Sequence, residues 1–363
     1  MQGTSTIDIF FELIQCGIGT REQLSCAVSE LQWKELFELS GKQTIIGITF
    51  AGIERLPAVQ RPPKEILLKW FHLTEIIKKK NIELNRKCTL VSDKFRKEGF
   101  RNCILKGQGL AQLYPAPYLR TPGDIDIWLE GDSRKILEYV RHYIPESKPV
   151  YHHVDFPIAK DTEIEVHFTP SWMYNPFGNR RLQKFFKKYS EQVYNNPTAT
   201  KEGEFPVPTA LFNRIYILLH IYRHLFQEGI GLRQLMDYYF VLKQEISDEE
   251  QKEFLKMLDC LNLRKFTSAM MHIMATVFGM DEKSLVLPPD RKEGEFLLDE
   301  VMKAGNFGRY DNRYKMVSKE KELEHFGNSL QRTRRLVSHY PSEALWSPYF
   351  KIWHFFWRKS RGG

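Results

Sequence analysis

Asp124 and Asp126 stand one residue apart in GDIDIWL, residues 123–129, a stretch that otherwise reads as an apolar strand. Aspartate is disfavoured in strands because its side chain competes for backbone hydrogen bonds. Strand alternation puts Asp124, Asp126 and Trp128 on one face and Ile125, Ile127 and Leu129 on the other. Two carboxylates roughly 7 Å apart along a strand repel each other and lose solvation on folding. A divalent cation between them removes both costs. Hard oxygen donors of this kind suit Mg²⁺, which takes one or two carboxylates together with substrate phosphates. On this view an amide in place of the Asp126 carboxylate relieves repulsion and raises the metal-free melting temperature. The ordinary alternative is a wet strand face, which a D-x-D taken alone favours.

The surroundings shift the balance. Upstream, ILKGQGLAQLY is a strand, a glycine turn at Gly107 and a helix start. Free N–H groups at a helix start bind phosphate, and Lys106 adds a point charge. A dinucleotide fingerprint needs Gly where Gln112 stands, and no Walker A sequence is present. Downstream, TEIEVHF places Glu163, Glu165 and His167 on one strand face. Glu165 is thus a third carboxylate able to meet the aspartates from a neighbouring strand, while Glu163 reads as surface. Arg120, four residues before Asp124, is either a structural ion pair or a phosphate holder.

These residues must be held by a small α/β unit. NCILKG, DIDIWL and TEIEVHF are its strands, and SRKILEYVRHY is a helix with Ser133 placed to cap it. Before it, residues 1–99 read as helical, with Leu31, Leu36 and Leu39 on one stripe and a long amphipathic stretch from Lys64 to Phe100. After it the helical period returns from Pro208, through TALFNRIYILLHIYRHLF, LRQLMDYYFVLKQ, DEEQKEFLKMLDCL and RKFTSAMMHIMATVF. The expected fold class is α+β, a small mixed sheet with helical segments on both sides. Its expected divisions are 1–99, 100–205 and 206–363.

The combination of LKG, then R-x-x-x-D-x-D, then E-V-H resembles the DNA polymerase β-type nucleotidyltransferase superfamily, and most of all its uncharacterised bacterial nucleotidyltransferases. The abortive-infection nucleotidyltransferases are more distant. The motifs run from Leu105 to Phe168, with weaker likeness in LLHIYRH and GLRQLMDYYFVL. The resemblance implies that Asp124, Asp126 and Glu165 hold Mg²⁺ or Mn²⁺ and carry catalysis. It implies that Lys106, Gly107, Gln108 and Arg120 face the phosphates of a nucleoside triphosphate. Gln108 stands where the superfamily has Gly or Ser. The implied reaction moves a nucleoside monophosphate to a hydroxyl acceptor and releases pyrophosphate, by two-metal phosphoryl chemistry. The acceptor is open: a small molecule, a sugar, a protein side chain or an RNA end. A degenerate relative that binds nucleotide or a partner without turnover is the alternative.

Other chemistries fit less well. A haloacid-dehalogenase phosphatase needs a second Asp that GDSRKI lacks, and a D-x-D glycosyltransferase leaves LKG and Glu165 unexplained. His220 and His224 are spaced for a helix face, but Ile221 stands where a zinc protease needs Glu. They read as helix-interface residues, with Asp237 as a partner, and a minor version turns Arg223 or His224 to the cleft. His152 and His153 suit pocket and surface about equally, and FKIWHFFWRKSRGG reads as a docked helix with a solvated basic end. A net charge of +8 fits an anionic partner without choosing one. Five scattered cysteines without C-x-x-C suit a reducing cytoplasm. TIIGITFAGI is too short to cross a bilayer, and Asp8 and Glu12 argue against an export signal.

Overall fold

The computed structural model describes residues 4–159, 161–314 and 322–359. In chain order the elements are α1 (Thr6–Ile18), α2 (Glu30–Lys42), α3 (Ile46–Arg55), α4 (Lys64–Lys97), β1 (Asn102–Ile104), α5 (Gln108–Ala111), β2 (Ile125–Leu129), α6 (Ser133–Tyr143), β3 (His153–Asp155) and β4 (Ile164–His167). They continue as α7 (Pro176–Tyr194), β5 (Pro197–Thr200), β6 (Gly203–Pro206), α8 (Ala210–Gln227), α9 (Leu232–Leu242), α10 (Asp248–Cys260), α11 (Arg264–Thr276), α12 (Arg291–Ala304), α13 (Glu322–Leu336) and α14 (Pro341–Lys359). The class is α+β, a four-stranded mixed sheet with helices before and after it.

The sheet order is β1-β2-β4-β3, with β2 and β4 parallel and both edge strands antiparallel to their neighbours. Its two faces differ in kind. Ile125, Ile127, Leu129, Ile164, Val166 and Val154 form one face, packed on Leu84, Cys88, Val91 and Phe95 of α4 and on Ile136 and Val140 of α6. α4 therefore carries an apolar stripe over its second half because it closes this side of the sheet. The opposite face holds Asp126, Trp128, Glu165, His167 and His153. Trp128 packs on Tyr194 of α7 and Phe212 of α8, at centroid distances of 4.8 and 5.8 Å. The charged half of that face thus lies beneath the C-terminal helices, not in water.

Several sequence expectations change in detail. Leu31 is exposed while Trp33 and Leu36 are buried. The capping residue of α6 is Asp132, whose side chain accepts from Arg134 N at 2.8 Å, with Ser133 the first helical residue. Glu163 is exposed, as expected. The β5–β6 hairpin and α7 have no counterpart in the sequence reading, because short polar strands and a Pro-started helix give weak periodicity. In α14, Phe350 stacks on Trp172 at 4.2 Å, while residues 360–363 of the basic end lie outside the described residues. Among the described residues no helix is long and apolar enough to cross a membrane.

Candidate active site

β2 begins at Ile125, so Asp124 sits at its mouth and Asp126 inside it. Asp126 is 2% exposed, and Asp124 keeps a half-open side chain. Between the two lies the ammonium of Lys106, 2.8 Å from Asp126 Oδ2 and 3.8 Å from Asp124 Oδ2. The cation demanded by the paired carboxylates is therefore present in the chain itself. Lys106 was expected to face phosphate, and the structure turns it to the aspartates. Burial alone pushes the Asp126 carboxyl up, but the Lys106 charge and the His167 hydrogen bond outweigh it and hold it below the usual range. Burial likewise works against the Lys106 charge, and Asp124 and Asp126 overcome it and raise its pKa. The turn that delivers Lys106 needs Gly107, whose φ is +56° and whose missing Cβ would stand 3.3 Å from the Asp124 carbonyl. What this glycine admits is the Asp124 backbone. The helix after it, α5, is a single turn of four residues, too short to sum much dipole at its start.

Glu165 arrives by register. It pairs directly with Asp126 across β2 and β4, and His153 pairs with His167 across β3 and β4. Same-face neighbours on adjacent strands are within side-chain reach. His167 Nε2 lies 2.9 Å from Asp126 Oδ1 and 3.4 Å from Glu165 Oε2, and His153 Nδ1 lies 3.3 Å from Glu165 Oε2. Burial raises the Glu165 carboxyl, but His167, His153 and Lys106 together bring it down to about 2. His167 is shifted up, because its two carboxylate partners exceed the cost of its burial. Burial shifts His153 down to about 4 and His152 down as well, so both are neutral near pH 7.

Donor atoms of Asp126, Glu165 and His167 all lie within 4.8 Å of one another. Asp126 Oδ2 is buried with no hydrogen-bond partner, held only by the Lys106 charge. A buried carboxylate oxygen whose one partner is an ammonium fits a hard cation in that partner's place. His152, His153 and His167 form a second close group. There the indole of Trp172 donates to His152 Nδ1 at 3.2 Å. An indole only donates, so the His152 proton is on Nε2, 3.2 Å from His153 Nδ1. His152 thereby donates to His153 Nδ1, which leaves the proton of neutral His153 on its Nε2.

Two expected phosphate contacts are occupied otherwise. Gln108 is 3% exposed, and its amide nitrogen donates to Asn85 Oδ1 at 2.6 Å and to the Asn81 carbonyl at 3.3 Å. It ties the glycine turn to α4. Arg120 makes a buried two-pronged bond to Asp237, with Nε–Oδ1 at 2.7 Å and Nη2–Oδ2 at 2.8 Å. Tyr114 adds its hydroxyl to the same carboxylate at 2.6 Å. The structural alternative for Arg120 is the one observed, and Asp237, expected beside the helix histidines, is its partner. Replacing Arg120 with Met leaves Asp237 buried without its paired cation, with Arg233 acting on it only from one turn away. We expect a loss of about 3–5 kcal/mol in urea unfolding. An unchanged midpoint with an unchanged slope would show that this pair does not hold the loop.

The structure also brings in residues that the motifs did not select. Lys106, Gly107, Arg120, Gly123, Asp124, His220, Arg233 and Phe307 are among the residues that line one cavity. Arg223 is 8% exposed, stacks over Trp172 at 5.5 Å, and has Nε and Nη1 buried without partners. A signal for these existed. α8 and α9 are apolar nearly all round, so each Arg or His within them must be buried or line a site.

A mixed sheet that gathers carboxylates from adjacent strands under a helical cover is the arrangement expected of a nucleotidyltransferase core. The chain belongs to the family described as "Uncharacterised nucleotidyltransferase", which it matches over residues 29–279. That span starts at the Ser29 cap of α2 and so takes in N-terminal helices that the motifs left aside. Among solved structures, an antigenic nucleotidyltransferase-like protein from Paracoccidioides brasiliensis is similar over 50% of this chain and 89% of its own, at 12% identity and a TM-score of 0.30. No curated protein is similar enough to match.

Proposed function

We propose that the protein transfers a nucleoside monophosphate from a nucleoside triphosphate to a hydroxyl acceptor at Asp124, Asp126 and Glu165, releasing pyrophosphate, with Mg²⁺ or Mn²⁺. The observation that carries this is the register that sets Glu165 against Asp126 on a buried sheet face, with Asp126 Oδ2 held by the Lys106 ammonium alone. Asp126 and Glu165 would hold the ion, with Asp124 at the open rim. When bound, the ion would neutralise phosphate charge and polarise the attacking hydroxyl. The chain's own groups do the rest. Lys106 balances the aspartates, and His167 fixes Asp126 by a hydrogen bond and lies 3.4 Å from Glu165. Ionised Glu165 offers a departing hydroxyl proton an acceptor, and neutral His153, whose Nδ1 already accepts from His152, stands 3.3 Å from it. The free cysteines Cys16, Cys26, Cys88, Cys103 and Cys260 accord with a reducing compartment such as the cytoplasm.

The test is thermal unfolding with each of the four nucleoside triphosphates, with Mg²⁺, with Mn²⁺ and with EDTA. At a hundredfold excess over its dissociation constant, a nucleotide is expected to add about 2.7 kcal/mol, and only with metal present. A shift of equal size in EDTA would remove the carboxylates as a metal site. The second reading, binding without turnover, draws on the Lys106 ammonium that already bridges the pair. It predicts the same shift with no pyrophosphate formed across a broad acceptor panel.

A further inference from the structure

Arg233 is a buried cation without an ion pair among the described residues, reached by the charges of Asp237 and Asp124 only at longer range. It sits in the first turn of α9 and is 8% exposed. Its Nη1 donates to the Thr121 carbonyl at 3.1 Å, its Nε is buried without a partner, and it forms no ion pair among the described residues. Asp237, one turn further along the same helix, is paired with Arg120 and accepts from Tyr114. A guanidinium removed from water without an anion is costly. A fold with no use for the charge would place Met or Leu here.

The guanidinium faces a defined space. Arg233 lines the cavity with Lys106, Gly107, Gly123 and Asp124, and a Cβ on Gly123 would lie 3.6 Å from its Nη1. Phe307 closes the far side, its ring 5.7 Å from the guanidinium, in a left-handed backbone with φ +52° between Gly305 and Gly308. Bulky residues rarely adopt that conformation, and such strain gathers at ligand clamps. The cavity measures about 30 Å³, room for roughly two water-sized groups. A base or ribose does not fit; two oxygens of one terminal phosphate do. Gly123 and Asp124 also border an open groove of about 480 Å³, whose far wall is Lys80, Glu83 and Leu84 of α4.

We propose that this cavity receives the terminal phosphate of the nucleotide, with Arg233 as its phosphate-binding residue, and that ribose and base lie outside, in the α4 groove. A guanidinium suits phosphate because its fork matches two oxygens at once. The nucleotide is thereby bound tail first, its chain of phosphates passing Asp124. This assignment rests on the nucleotidyl-transfer reading for the identity of the ligand, while phosphate capture by Arg233 can be tested without it.

The experiment measures dissociation constants for AMP, ADP, ATP and inorganic tripolyphosphate, each with Mg²⁺, for the wild type, Arg233→Met and Arg233→Lys. The wild type should tighten from AMP to ATP and should bind tripolyphosphate. Arg233→Met should weaken ATP and tripolyphosphate about tenfold or more and leave AMP unchanged, as expected for losing a charge-assisted bond. Its metal-free melting temperature should not fall, because an unpaired buried charge is removed. Arg233→Lys, which keeps charge but loses the fork, should fall between. Equal weakening of AMP and ATP would mark Arg233 as structural and overturn the proposal. So would unchanged ATP binding in Arg233→Met, no tightening from AMP to ATP in the wild type, or no tripolyphosphate binding. If tripolyphosphate binds through Arg233 but no nucleotide does, the phosphate site stands and nucleotidyl transfer falls.

Discussion

Asp126→Asn is expected to remove nucleotidyl transfer by roughly two to four powers of ten, at ~1.36 kcal/mol per power, and also to lower the metal-free melting temperature. The first part follows from the loss of one negative charge at the metal-holding oxygen. The amide is nearly the same size, so packing survives. The second part reverses what the sequence implied. Two aspartates on one strand suggested repulsion, and relief of repulsion raises stability. In the structure the repulsion is already answered by Lys106, 2.8 Å away, and Asp126 also accepts from His167. Removing the carboxylate leaves the buried Lys106 ammonium short of a counter-charge and weakens the acceptor of the His167 hydrogen bond. Breaking one side of a buried pair costs about 3–5 kcal/mol. Asp124, 3.8 Å from the same ammonium and half open to water, recovers part of this, so a loss near the lower end, about 3 kcal/mol, is expected. The readouts are pyrophosphate release with a responsive acceptor and an unfolding curve in EDTA. Near-full activity would make Asp126 a structural partner of Lys106 and His167 and not a metal-holding residue. A higher EDTA melting point would mean that Lys106 does not pair with Asp126 in solution.

What the sequence made legible was local and periodic. The alternation in DIDIWL and EIEVHF put Asp126, Glu165 and His167 on definable faces, and the parallel pairing of β2 with β4 brought those faces into register. Helices α8–α11 were legible because their apolar period is strong. What stayed hidden depends on long-range pairing. Nothing near Arg120 in the chain announces Asp237, 117 residues on, as its partner. Gln108 looked like a phosphate-loop residue because its turn was read without α4, which supplies Asn81 and Asn85. His152 and His153 were ambiguous because β3 has only three residues, too few to show a period. Arg233 carries no motif at all. Its meaning comes from the missing counter-ion, which is a property of the folded surroundings.

Lys106→Met is expected to lower metal-free stability and to enlarge the stabilisation by Mg²⁺ or Mn²⁺ added without nucleotide. Lys106 lies between Asp124 and Asp126, where its charge does for the resting protein what an ion would do for the loaded one. Methionine keeps the aliphatic stem and removes the ammonium. Asp126, 2% exposed, is then a buried carboxylate with only His167 to balance it. Its pKa should rise toward and past the ordinary range, and unfolding in EDTA at pH 7 should cost about 3–5 kcal/mol less than in the wild type. The sign with pH follows. In the wild type the depressed Asp126 carboxyl stabilises the fold above the unfolded-state value of about 4, and that part is lost as pH falls further. In the variant, with the folded value raised instead, stability declines as pH rises from about 4 toward neutral. A divalent ion meets no competing ammonium in the variant, so the same ion concentration stabilises it more than the wild type, following the ratio of ion to dissociation constant. Measurement needs two unfolding series, with EDTA and with an Mg²⁺ or Mn²⁺ titration, at pH 5 and pH 7. If Lys106→Met matches the wild type in EDTA, the ammonium does not bridge the aspartates. If it is destabilised but no ion restores it, the lysine bridge is permanent, and the chain is of the kind that binds without turnover.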